Sequence, residues 1–461
     1  MEAHVRHRTE VHMTEGDPRR VIVSFALPVL LSQLFQQLYS TADTWIVGHF
    51  RGTEALAAVS SSGSLTFLMI SFFVGTSMGA GVVISRYFGA RESEKTSRAV
   101  HTTVLLSLIM GAFLTAFGVA ATPVLLRWMG TDPDVLPQSI IYFRYIFLGS
   151  IPMVMYNSLR GIMSAVGDSR RPLYYLILSS VLNILLDALF VGVFRWGVWA
   201  AAVATALSQA VSAVLCLIQL MKKGNVYTLS ADRMRIDGPL VREILRYGLP
   251  SGVQNSVIAI ANVLVQTNIN SFGKLAMAAC GAYSKIEGFA FLPITSFSMA
   301  LTTFIGQNLG AKEYDRARRG ARFGLTMGVA MAELIGVAVF ALAPLMIRTF
   351  DQNPEVVAIG TMQARIEAPF YCLLALSHCV SGVCRGCGRA SVPMYVMLSI
   401  WCVFRIIYIT AAMHVRHVIW LLFCAYPLTW FISSVIFMIY YLKSDWVHGF
   451  EKKAGGAEKN E

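Results

Sequence analysis

Long apolar runs recur along this chain at lengths that fit a lipid bilayer, and that recurrence leaves few folds open. They fall at about residues 21–49, 55–84, 99–126, 137–163, 172–194 and 197–221. A second set falls at about 244–272, 275–305, 320–347, 357–383, 391–413 and 418–442. A hydrocarbon core about 30 Å thick takes roughly 20 apolar residues of α-helix. Inside lipid each segment must pair its own backbone polar groups, so helices are the form such runs take. The expected fold class is therefore an all-α integral membrane protein with twelve transmembrane helices, six and six. The chain has 461 residues, 56% of them hydrophobic and 14% charged, and a mean hydropathy of +0.59. That balance leaves too little polar side chain to coat a soluble protein of this size.

The polar residues divide the chain. Residues 1–20 read as a mobile cytoplasmic arm, 21–221 as a first lobe, 222–243 as a cytoplasmic linker, 244–442 as a second lobe and 443–461 as a cytoplasmic tail. The linker carries Gly224, Asn225, Gly238 and Pro239, residues that punctuate structure. No cleavable signal pattern precedes the first span, which is expected to stay in the mature protein. Alternate loops hold about 27 Lys and Arg on the side of the N-terminus and about six on the other, so both termini are expected in the cytoplasm of a cell-membrane protein.

The two sets of runs repeat. Gly89-Ala90-Arg91-Glu92 recurs as Gly310-Ala311-Lys312-Glu313, and at the same spacing of 221 residues Gly161, Gly167 and Pro172 match Gly382, Gly388 and Pro393. With an even number of helices in each half, the repeats share one orientation, as in transporters whose halves are related by an axis along the membrane normal.

Composition and motifs exclude other classes. The net charge is +12, but the basic residues sit in short blocks between apolar runs, which are topology signals and not a nucleic-acid footprint. The eight Cys all lie in or beside apolar runs and read as small buried hydrophobes. Cys384 and Cys387 form one CxxC, without a second pair or a nearby His at metal-ligand spacing, so no metal site is expected. No Walker loop, GxSxG, HExxH or strand-bound GxGxxG occurs. Nucleotide hydrolysis has no machinery here, no cofactor is implied, and an ion gradient is the expected driver of any transport.

Asp43 lies inside the first run, where an ionisable group costs roughly 2.5 to 3.5 kcal/mol and marks a candidate site. In the fifth run Asn183 and Asp187 are four residues apart and share a helix face. With the N-terminus inside, Asp43, Asp187 and Thr205 of the sixth run all come six to eight residues from the outer ends of their helices. Two carboxylates at one depth in a low dielectric cannot both stay ionised cheaply, so they either hold protons or bind a cation. Asn183 and Thr205 would add neutral oxygen ligands. A polar cluster that only tightens the bundle is the plainer reading. Pro28, fifteen residues before Asp43, can kink the first helix, as a gate or as a static bend. Glu287, Glu333, Glu367 and Arg405 are the other intramembrane charges; Arg405 is expected to partner one of these acids, and Glu287 to pair with Lys285 or to bind substrate or ion.

Leu27-Pro28 opening the first span, Ala42-Asp43-Thr44-Trp45-Ile46-Val47-Gly48 closing it, the Gly89-Ala90 loop, Asn183 with Asp187, and Ala204-Thr205 with Ser208-Gln209 together resemble the multidrug and toxic compound extrusion (MATE) family. The resemblance implies export of organic cations and amphipathic drugs in exchange for H+ or Na+ by alternating access. It implies a cation cluster in the first lobe on Tyr39, Asp43, Asn183, Asp187 and Thr205, with Asn157 a further match. The seventh span has no acid beyond Glu243 at its entrance, so the chain looks closer to the branch with its chemistry in the first lobe. The expected partners are small-molecule drugs and membrane lipids, with no nucleic acid, and the expected state is a monomer. The rival reading is a flippase for a lipid-linked or polyanionic saccharide, which would favour a cationic cleft. An enzyme would need a nucleophile and base or a metal cluster, and the conspicuous polar groups form neither.

Overall fold

The computed structural model describes residues 12–128 and 136–451, and the side chains of all of these except 44, 48 and 51–70. Residues 1–11 of the expected arm and 452–461 of the expected tail lie outside the described residues. The described chain holds helices and turns and no strand. Its helices are α1 (Pro18–Gly89), α2 (Ser93–Trp128), α3 (Leu136–Leu148), α4 (Ser150–Ala165), α5 (Arg170–Asp187), α6 (Trp199–Met221) and α7 (Gly238–Asn270). They continue as α8 (Lys274–Gly310), α9 (Tyr314–Arg348), α10 (Pro354–Glu367), α11 (Tyr371–Gly386), α12 (Ser391–Met397), α13 (Arg405–Val415) and α14 (Ile419–Lys443).

Among the described residues ten helices are long and apolar enough to cross a membrane, or eleven when α3 and α4 count as one span bent by 46°. The bend falls at Gly149, where an added Cβ would lie 2.6 Å from Ala206 Cβ on α6. The second expected span, 55–84, lies inside α1. No gap separates it from the first, because Arg51-Gly52-Thr53-Glu54 carries one glycine and no proline and so breaks helix only weakly. A straight helix of 72 residues would measure about 108 Å, more than three times the hydrocarbon thickness. Tyr39 meets Gln209 of α6 and Asp43 meets Asp187 of α5, whereas Ser77 and Gly81 lie further along α1 against Ser158 and Gly161 of α4.

The repeat read in the sequence is present in the backbone. Arg91 and Lys312, 221 residues apart, are both left-handed (φ 58° and 61°), and so are Gly167 and Gly388 (φ 93° and 75°). Each of the four ends a helix in the same way: the N–H of the next residue donates to a carbonyl five back, as in Glu92 to Tyr87 (3.0 Å), Asp168 to Met163 (2.9 Å), Glu313 to Asn308 (2.8 Å) and Arg389 to Cys384 (2.8 Å). Contacts repeat too. A Cβ on Gly161 would meet the Ser77 carbonyl at 3.7 Å, and one on Gly382 the Ser298 carbonyl at 2.5 Å.

The chain divides into two compact units, one built mainly of Leu31–Gly252 and the other of Met13–Leu30 with Val253–Glu461. In the first, the core gathers Leu114, Phe143, Phe147, Val154 and Val191. The first turns of α7 belong here and cross α1 at two matched pairs of glycines. A Cβ on Gly75 would meet the Gly252 nitrogen at 2.2 Å, and one on Gly79 the Gly248 nitrogen at 2.3 Å. This is a small-xxx-small crossing on both helices, which lets backbones touch where lipid offers no hydrophobic drive. The segment 222–237 is also fixed. His101 Nε2 accepts from the Ser230 N–H (3.0 Å), Thr102 accepts from the Asp237 N–H (3.3 Å) and Arg98 pairs with Asp237.

The second unit packs Leu422, Phe423 and Ala425 of α14 against Val265, Cys280 and Ile409. The part of the expected mobile arm that is described is held here. The Arg316 guanidinium donates to the carbonyls of Met13 (3.2 Å), Glu15 (2.7 Å) and Gly16, and Asn308 donates to Met13 as well (3.0 Å). A buried arginine finds in those carbonyls the acceptors it needs.

Candidate functional site: a donor-poor carboxylate pair in the first unit

α5 ends at Asp187, and the next six residues, Ala188–Val193, widen into a π-turn. Such turns rotate side chains away from the regular helical face and recur at functional positions. Asp187 is fully buried (0% exposed) and Asn183, one turn earlier, nearly so (1%). Asp43 on α1 faces Asp187 within hydrogen-bonding reach. Asn183 Nδ2 donates to Thr205 Oγ1 of α6 at 3.4 Å. Tyr39, one turn before Asp43, lies against Gln209 and Gln36.

The polarity of this cluster is one-sided. Among the described residues, Asp43 Oδ1, both carboxylate oxygens of Asp187 and Asn183 Oδ1 are buried without a hydrogen-bond donor. Buried polar atoms in folded proteins are nearly always paired, and each orphan costs about 1–3 kcal/mol, more when charged. Acceptors facing acceptors have a chemical remedy: a proton shared between the carboxylates, or a hard cation ligated by carboxylate, amide and hydroxyl oxygens. Among the described residues no group of three or more His, Cys, Asp and Glu side chains gathers anywhere. A pair of acids with neutral oxygens suits a proton or a small monovalent cation better than a soft transition metal.

The other residues singled out in the sequence divide. Asn157 is on α4, where its amide donates to the Met153 carbonyl (2.9 Å) and its oxygen accepts from Arg160 (3.5 Å); no described contact joins it to the acids. Pro28 is buried within α1, about 22 Å along the helix from Asp43 at 1.5 Å per residue. Sequence reasoning missed Tyr142 of α3, 6% exposed and within electrostatic reach of both Asp43 and Asp187. The depth comparison that joined Asp43, Asp187 and Thr205 would have found it, since Tyr142 comes about five residues into its span from the same end.

Glu287 lies in the second unit. It shares electrostatic surroundings there with Glu367 and Arg405, and not with Lys285, which is exposed two residues away and so on another helix face. Glu367 accepts from Gln363 (3.0 Å), and the hydroxyls of Tyr283 and Tyr371 share a hydrogen bond (2.9 Å). The Arg405 guanidinium donates to Thr429 (2.9 Å) and lies over the Tyr426 ring at 4.6 Å from its centre. Arg405 is thus held by a hydroxyl and a ring, with no acid in direct contact among the described residues.

The MatE family model matches residues 28–189 and again 250–410, one copy in each sequence repeat. The chain is 28% identical over 387 residues to "Probable multidrug resistance protein YoeA" of Bacillus subtilis, covering 82% of this chain and 83% of that one. It is 27% identical over 344 residues to a "FAD transporter" of Shewanella oneidensis, covering 73% and 75%. The fold superposes on a solved structure described as the outward-facing conformation of a multidrug resistance MATE family transporter, with a TM-score of 0.88 at 22% identity over 95% of this chain and 98% of that one. The two-lobe, twelve-helix architecture is therefore the fold of this chain.

Proposed function

This chain belongs to the MatE family, a family of multi-pass membrane transporters, and we propose that it is a secondary antiporter that exports organic cations and amphipathic drugs in exchange for H+ or Na+. The observation that carries the reading is the Asp43–Asp187 pair, in which Asp43 Oδ1 and both Asp187 oxygens are buried without a donor among the described residues. A carboxylate pair short of donors is incomplete until an ion or proton fills it, so its free energy depends directly on that ion's chemical potential. Asn183 and Thr205 complete the ligand set, and Tyr39 and Tyr142 wall it.

In the cycle that follows, drug enters from the cytoplasm or inner leaflet with the acids ionised. External H+ or Na+ then occupies the pair, reduces its negative charge and weakens the hold on a cationic drug. Pro28 would let the first helix bend or repack in response. Each charge carried inward contributes about 2.3 kcal/mol per 100 mV of membrane potential. Both termini would lie in the cytoplasm, and a monomer would suffice.

Dye efflux from proteoliposomes under an imposed pH or Na+ gradient tests this. Transport driven by one gradient and abolished in Asp43→Asn and Asp187→Asn, with both variants expressed and folded, is the expected result. Unchanged efflux in both variants would sink the assignment. A second reading, export of an organic anion, draws on the relative named a FAD transporter and on the buried cations Arg385 and Arg405; competition by flavin nucleotide instead of cationic dye would favour it.

A further inference from the structure

On the second unit, the end of α9 and the length of α10 border a groove of about 870 Å³ whose lining includes Pro344, Arg348, Val357, Thr361, Met362 and Arg365, and no acidic side chain. Arg365 is five residues from the middle of the apolar span Pro354–Gly386, which puts its Cα about 7–8 Å from the bilayer centre where the hydrocarbon extends to about 15 Å. Both arginines are nevertheless exposed.

The surface around them faces acyl chains: Phe340, Leu342, Leu345 and Met362 are 43%, 50%, 64% and 40% exposed. Arg365 lies over the Phe340 ring, 5.8 Å from its centre. Neither guanidinium has an ion pair among the described residues. Thr361 Oγ1, on the same wall, is buried without a hydrogen-bond partner among the described residues. Two exposed cations beside an apolar surface are complementary to a molecule with an anionic head and hydrocarbon tails. Arginine matches a phosphodiester in particular, through paired N–H donors.

We propose that this groove binds an anionic phospholipid of the adjoining leaflet, its phosphodiester between Arg348 and Arg365, and its chains along Leu342, Leu345 and Met362. The site is separate from the carboxylate pair and does not depend on the transport reading.

Native mass spectrometry of the purified full chain, titrated with phosphatidylglycerol or phosphatidylcholine of equal chain length, tests it. One phosphatidylglycerol should bind roughly thirtyfold more tightly than phosphatidylcholine, the scale of two basic contacts to an anionic headgroup. The double variant Arg348→Gln/Arg365→Gln should lose that preference, and Arg416→Gln, an exposed arginine of the α13–α14 loop, should keep it. A parent without preference, or a double variant that retains it, overturns the proposal. A readout without variants is photo-crosslinking by a photoactivatable phosphatidylglycerol: adducts on peptides covering 340–348 or 358–366 support the site, and adducts only elsewhere refute it.

Discussion

Replacing Asp187 by Asn should make the protein more resistant to heat while it destroys ion coupling. The aspartate presents two buried oxygens without a donor, and an asparagine of the same shape brings its own donors to face Asp43. Satisfying one such group is worth about 1–3 kcal/mol, so thermal unfolding in detergent should show a midpoint at or above the parent's. A clear fall would mean that the acids already have partners and that the donor-poor description is wrong. At this scale the site was legible because charge inside an apolar run is costly, and the comparison of depths required only that helices rise uniformly. Asn157 shows where that reasoning stops. Its residue type fits the cluster, yet Met153 and Arg160 take up its amide, and such local partners are set by rotamers that a sequence does not display. Arg405 is similar, since the ring of Tyr426 and the hydroxyl of Thr429 arrive from α14, 21 and 24 residues further along.

The crossing of α1 and α7 belongs to the scale of elements. Gly75 with Gly79, and Gly248 with Gly252, leave backbone against backbone, so Gly248→Val must push the helices apart. Overpacking of this kind costs typically 1–3 kcal/mol, and the expected result is a lower unfolding midpoint with reduced yield of folded protein. An unchanged midpoint would show that the helices are not in contact there. Pro28 makes the complementary prediction. Within a helix it removes one backbone hydrogen bond, so Pro28→Ala should restore that bond and stiffen α1. Dye efflux should slow severalfold while dye affinity stays near the parent's, and an unaltered rate would leave Pro28 as a static bend. Helix existence was readable from hydropathy, but helix ends were not. Nothing in Arg51-Gly52-Thr53-Glu54 marks the missing gap in α1, and the π-turn after Asp187 leaves no trace in a run as uniformly apolar as Ala188–Val193.

For the whole molecule, the repeat was the most informative feature of the sequence. A spacing of 221 residues carried not only glycines but a left-handed backbone at Arg91 and Lys312, residues that do not favour it, so the turn itself is what the two halves share. The chemistry is not shared. Asp43 and Asp187 match Leu264 and Tyr408 at that spacing, and the second half gathers Glu287, Glu367 and Arg405 instead. Two like scaffolds thus hold unlike polar sets, and the central claim is that the first of them carries the coupling ion. The most direct measurement is the affinity of purified protein for a cationic dye across pH and Na+ concentration, for the parent and Asp43→Asn. The account predicts that protons or Na+ weaken dye binding to the parent by at least tenfold and leave the variant nearly unaffected. The same ion dependence in both proteins would contradict it and move the coupling site away from the Asp43–Asp187 pair.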